Sequence, residues 1–109
     1  DCLVRFDGGV DTAVRAARGA NPLSGTHYSD KVLRQMQPNP RTGRPDFNGF
    51  PREVDNFAGD GVRSTIRGAD GIERTRIELP GSLNGRDGVF EWIIEPGGAV
   101  NHRLFRPKG

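Results

Sequence analysis

Two histidines stand out in a chain whose basic residues are nearly all arginine. His27 lies in "GTHYSDKVLRQM" and His102 in "VNHRLFRP"; of the 16 basic residues all but Lys31 and Lys108 are arginine. Imidazole gives or takes a proton near neutral pH, and guanidinium forks onto phosphate and stacks on bases. These types suit metal-free cleavage of RNA. In that reaction the 2′-OH attacks the adjacent phosphate and leaves a 2′,3′-cyclic phosphate. The protein must supply a base for the hydroxyl, an acid for the leaving oxygen and positive charge around the phosphorane. His27 and His102 fit the two proton transfers. Lys31, Arg74 and Arg76 fit the scissile phosphate. Arg63, Arg67 and Arg103 fit the flanking backbone, which would make affinity salt-dependent.

Each of these residues also has a purely structural use. His27 could be a solvated first-turn helix residue and His102 a hydrogen-bonded core histidine. Lys31 could be an ordinary surface charge. The sheet arginines could pair across strands with Glu73, Glu78, Glu91 and Glu95. Other chemistries have fewer parts. There is no cysteine pair, no HxxxH or HExxH spacing and no Walker-type loop, so neither metal nor cofactor is expected. Cys2, the lone cysteine, allows no internal disulfide. Two alternatives stay open. One is a non-catalytic RNA- or protein-binding module using the same arginines. The other is an NAD-dependent ADP-ribosyltransferase built on "RST" (Arg63–Thr65) and a late glutamate.

The elements that must position these residues read as α+β. A chain of 109 residues, 33% hydrophobic, is expected to form a single domain, 1–109, with a modest core. Its 16 glycines and 8 prolines suit short elements joined by turns. No stretch is long and apolar enough to cross a membrane, and no signal peptide is visible. The chain begins with Asp and is therefore expected to be a piece of a longer protein. Residues 1–25 read as a loosely ordered lead-in, in which "DTAVRAARGA" could form a short helix. A helix over 27–37 follows, with Thr26 as cap and Pro38 as stop. A second helix is expected over 51–58, from Pro51 to Ala58.

Beyond Gly61 the apolar period changes from helical to alternating. "VRSTIRG" and "IERTRIEL" flank "ADG", and "VFEWIIE" and "AVNHRLF" flank "PGG", which makes two hairpins. "PGSLNGRDG" reads as a longer connection between them. The expected architecture is thus two or three N-terminal helices packed on a four-stranded antiparallel meander. Val62, Ser64 and Ile66 share a face with the core side by alternation, as do Ile77 and Leu79, and Phe90, Trp92 and Ile94. Arg63, Arg67, Arg74 and Arg76 then fall on the polar face. His102 is ambiguous, because Val100 and Leu104 turn it inward, Phe105 turns it outward, and a bulge would change the answer.

This order of elements resembles the barnase–EndoU–colicin E5–RelE group of small ribonucleases. The strings "HYSDKVLRQM", "DFNGFPREVDNFAG" and "IELPGSLNGRDGVFEWIIEPGGAVNHRLFRP" resemble C-terminal toxin domains of bacterial polymorphic toxins of the contact-dependent inhibition and Rhs type. The resemblance spans about residues 24–107. It implies cleavage of RNA without metal, often tRNA, in the cytoplasm of a target bacterium. It also implies delivery as the C-terminal part of a larger secreted or surface protein, a cognate immunity protein as partner, and a monomer when free. In this group one basic residue typically sits on an N-terminal helix, matching His27 or Lys31, and the others on the sheet, matching Arg74, Arg76 and His102. Barnase uses a strand carboxylate as base, and here either Glu78 or Glu91 could correspond to it.

Overall fold

The computed structural model describes residues 21–108 throughout and, among the first twenty, the backbone of Cys2–Arg5 (β1) and Ala13–Ala16 (β2). The chain continues as β3 (His27–Tyr28), α1 (Asp30–Gln35), two 3-10 segments (Phe47–Gly49 and Arg52–Asp60), β4 (Val62–Arg67), β5 (Glu73–Leu83), β6 (Arg86–Ile94) and β7 (Ala99–Pro107). The fold is α+β. Strands β4, β5, β6 and β7 form the expected antiparallel meander. The two-residue β3 adds to the far edge, parallel to β7, and makes the sheet mixed. On the other side, β2 pairs with the Gly81–Ser82 end of β5, and β1 pairs with β2.

Among the described residues the helices are fewer and shorter than the sequence suggests. Thr26 does not cap a helix; its hydroxyl donates to the carbonyl of Leu23 at 2.6 Å. The amides of His27 and Ser29 instead donate to the carbonyls of Gly98 and Val100, which draws His27–Tyr28 into the sheet. Ser29 then caps α1 by accepting from the Val32 amide. The expected helix over 51–58 is a 3-10 segment that buries Val54 and Ala58. Of the possible helix in "DTAVRAARGA", Ala13–Ala16 is a strand and the rest lies outside the described residues.

The stretch "PGSLNGRDG" is no long connection either. Leu83 pairs with Arg86 across a two-residue turn, with Asn84 at φ 53° and Gly85 at φ 79°. This is the Asn-Gly hairpin signal, since both central residues need the left-handed region that these types tolerate best. β5 and β6 therefore run on as one long hairpin, the backbone of the sheet.

Cross-strand register puts the core on one face. Ile77 lies opposite Trp92, Leu79 opposite Phe90, and Phe90 opposite Phe105. Phe50, Val54 and Ala58 of the segment around the second 3-10 turn cover them. The rings of Phe50 and Phe90 meet edge to face with centroids 4.8 Å apart, and Phe50 meets Trp92 at 5.7 Å.

β4 is turned over relative to the expectation. Val62 pairs with Glu78, Ser64 with Arg76 and Ile66 with Arg74, so these three face away from the core, and Val62 is 66% exposed. Arg63, Thr65 and Arg67 take the other face, beside Ile77, Thr75 and Glu73. The tight turn at 68–72 sets this register: the amide of Gly68 donates to the carbonyl of Ile72. β4 is an edge strand with only two apolar side chains in six, too weak a pattern to overrule the turn.

Candidate active site on the open sheet face

The orientation of His102 is decided by a bulge. The ladder between β6 and β7 slips between Ile93 and Ile94: Ile93 pairs with His102, but Ile94 pairs with Val100. Asn101 is the extra residue. Val100, Arg103 and Phe105 can then all be buried, while His102, Leu104 and Arg106 share the opposite face. The same face carries Arg76 and Glu78 of β5 and Glu91 of β6.

These side chains form a chain of contacts across four strands. His102 Nε2 lies 2.8 Å from Glu91 Oε1. The other oxygen of Glu91 accepts from Arg106 at 3.2 Å, and the same Arg106 nitrogen donates to Glu78 at 2.6 Å. Glu78 Oε1 lies 3.6 Å from Arg76 Nε, which also donates to Ser64 Oγ at 3.3 Å. Glu78 and Glu91 are directly opposed in the ladder. Two facing carboxylates would repel, and Arg106, bonded to both, removes that conflict. Glu91 is 8% exposed, packed beneath its two partners, whereas Glu78, Arg76, His102 and Arg106 are open to solvent in part.

The remaining candidates are dispersed. Arg74 lies on this face but is committed elsewhere: it bonds Asp70 at 2.7 Å and also Glu95, tying the β4–β5 turn to the end of β6. These two carboxylates hold its guanidinium well above the usual arginine range. Arg63 and Arg67 are exposed on the opposite face. His27 is exposed on β3 and lines a depression of about 400 Å³ with Tyr28, Arg52 and Asp55, on the side of the 3-10 segments. It is therefore on an edge strand, paired with Ala99, and not on a helix. Lys31 is exposed on α1.

Arg103 corrects the expectation most sharply. It is completely buried, so it cannot reach an RNA backbone. Its guanidinium lies 3.5 Å from the Phe50 ring centroid. It donates to the carbonyls of Asn48, Phe50 and Pro51 and to Asp55 Oδ1 at 2.9 Å. Asp55 also accepts from Trp92 Nε1 at 3.0 Å and from the Tyr28 hydroxyl. This cluster fixes the 3-10 segment to the sheet.

Of the residues on the open face, Glu91 has only an optional site role in the sequence reading and Arg106 has none. Glu91 enters there as a pairing partner or as one of two possible strand bases, and Arg106 not at all. The signal for Arg106 is the two-residue period along β7, which puts His102, Leu104 and Arg106 on one face once the bulge is allowed. Among the described residues no three His, Cys, Asp or Glu side chains are grouped to hold a metal ion, and no helix is long and apolar enough to cross a membrane. Comparison with family models, with curated proteins and with solved structures gives no match.

The arrangement joins a proton-transfer pair to two arginines on an accessible surface. A carboxylate and an imidazole in contact can pass a proton between them or to a group placed between them. Arg76 and Arg106 can hold an anion beside them.

Proposed function

We propose that this domain is a metal-independent endoribonuclease. The observation that carries the reading is the His102–Glu91 pair, flanked by Arg106 and Arg76 on the sheet face turned away from the core. A substrate phosphate entering between His102 and Glu91 would separate them. Glu91 takes the proton of the 2′-OH, and that oxygen attacks phosphorus. Protonated His102 gives its proton to the departing 5′-oxygen, which leaves a 2′,3′-cyclic phosphate. The proton on Glu91 then passes back to His102, with which it is again in contact. Arg76 and Arg106 stabilise the charge that builds on the phosphorane oxygens. His27 and Lys31 have no part in this scheme, and Arg74 has at most a long-range one.

The resemblance supports the biological setting: a toxin domain delivered as the C-terminal part of a larger protein, cleaving RNA, with tRNA first among substrates, in a target bacterium. A cognate immunity protein would be its partner in the producing cell.

The test is to incubate the purified domain with total bacterial RNA in EDTA and resolve the products on a denaturing gel. Discrete fragments ending in 2′,3′-cyclic phosphate, absent with His102→Ala and Glu91→Gln, are expected. RNA that stays intact in EDTA and is cut once Mg²⁺ or Zn²⁺ is added would overturn the metal-free chemistry. RNA that is bound but never cut would make the domain a binding module.

A further inference from the structure

The arginines of the open face are already occupied when no substrate is present. Glu78 bonds Arg106 at 2.6 Å and lies 3.6 Å from Arg76, one carboxylate oxygen toward each. We infer that Glu78 is a gate for anions: it holds the donors that a substrate phosphate must take, and so sets how tightly the site binds RNA. The inference rests on the ribonuclease reading of the same face.

The two glutamates differ in what they touch. Glu91 is in contact with His102, and its side chain is 10% exposed. Among the described residues the side-chain partners of Glu78 are the two arginines, and it is 30% exposed. A carboxylate and a phosphate ask for the same geometry from a guanidinium, namely charge-assisted N–H donors in a fork. An incoming phosphate therefore competes with Glu78 directly. Exposed ion pairs are weak, so the exchange is feasible. Once displaced, however, the carboxylate remains on β5 beside the anion and repels it. Arg76 keeps a second partner in Ser64, and Arg106 keeps Glu91, so both stay on the face when Glu78 lets go. Such a gate lowers affinity for all phosphates alike and leaves the chemistry, which belongs to Glu91 and His102, unchanged.

Glu78→Gln keeps the shape and removes the charge. Two measurements read it. The first is the Kd for an all-2′-deoxy single-stranded oligonucleotide, which cannot undergo 2′-OH attack. The second is KM and kcat for RNA cleavage. The variant should lower both Kd and KM by roughly three- to tenfold, with kcat within about twofold of wild type. Glu78→Thr, a good strand residue, is the second variant should the glutamine protein fold poorly, and it should move Kd the same way. Unchanged or weaker binding in a folded variant would overturn the gate. If the wild-type protein binds the oligonucleotide but cuts no RNA, the ribonuclease reading fails, and the Kd comparison still tests the gate.

Discussion

β7 carries two arginines three residues apart that do opposite things. Arg103 points into the core and Arg106 onto the open face, because three steps along the strand, an odd number, reverse the side chain. Both meet carboxylates. Arg103 spends its other donors on three main-chain carbonyls and lies against Phe50, all fixed by the fold. Among the described residues Arg106 meets two side-chain carboxylates, and it is about half exposed. The first guanidinium has nowhere else to go. The second can change partners, which is what an arginine needs in order to receive a substrate. Residue type alone does not separate the two; the burial and rigidity of the acceptors do.

The comparison breaks most visibly at Arg103. Replacing it with alanine leaves three carbonyls without that donor and leaves the Asp55 carboxylate, among the described residues, with Tyr28 and Trp92 as its remaining side-chain partners. The expected loss is about 3–5 kcal/mol, as for other buried pairs deprived of one partner. Urea unfolding measures it. Lysine should not rescue, since a single ammonium cannot reach all four acceptors. A loss below about 1 kcal/mol would mean that this cluster does not hold the 3-10 segment to the sheet.

On the open face the expected effect falls on rate and spares stability. His102→Ala should reduce RNA cleavage by about 10²–10⁴-fold, the usual worth of a proton-transfer group, while the urea midpoint moves little. Arg106→Ala should raise KM and, because Glu78 then faces Glu91 unshielded, also cost some stability, on the order of 1 kcal/mol. If His102→Ala unfolds the protein instead, the two faces are not different in kind and the active-site assignment is lost.

Much of this was legible in the residues. The alternation of β5 and β6 gives the core face directly, and "ADG" and "PGG" mark two of the turns. What failed, failed for local reasons. Two main-chain bonds, donated by the amides of His27 and Ser29 to the carbonyls of Gly98 and Val100, override a plausible helix start at Thr26. The register of edge strand β4 follows a turn and not its sparse apolar pattern. In "HRLF" the bulge at Asn101 shifts the frame by one residue. That shift makes His102 accessible and buries Arg103, the reverse of what the neighbouring Val100 suggests. The fold of the sheet is thus written in periodicity, whereas the site depends on one interruption of it.

Tyr28 offers a smaller test of the core-side cluster. Burial, then its hydrogen bond to Asp55 and the charge of Asp55, push its hydroxyl up to about 12 from an ordinary 10.0, against the opposing pull of Arg103 and Arg52. A folded-state value above the unfolded one means that the neutral hydroxyl stabilises the fold. That contribution is complete below pH 10 and fades as pH rises toward 12. Tyr28→Phe should lower stability at neutral pH and flatten the decline between pH 10 and 12. An equally steep alkaline decline in the variant would assign it to other groups.

The smallest effect belongs to the clamp at the β4–β5 turn. Hydrogen bonds from Arg74 and from the Ile72 amide hold Asp70 down to about 2, below its ordinary 3.8. Here the charged form is favoured by the fold, so its contribution is present above about pH 4 and lost as pH falls through 2. Asp70 is exposed, and the stabilisation is correspondingly small. Arg74→Ala should return Asp70 toward its ordinary value, which an NMR titration of its side chain would follow. The same variant should leave KM for RNA within about twofold, because a guanidinium already shared between Asp70 and Glu95 has little left to offer a phosphate. A large rise in KM would move Arg74 back among the substrate-binding residues and show that its two carboxylates yield as readily as Glu78 does.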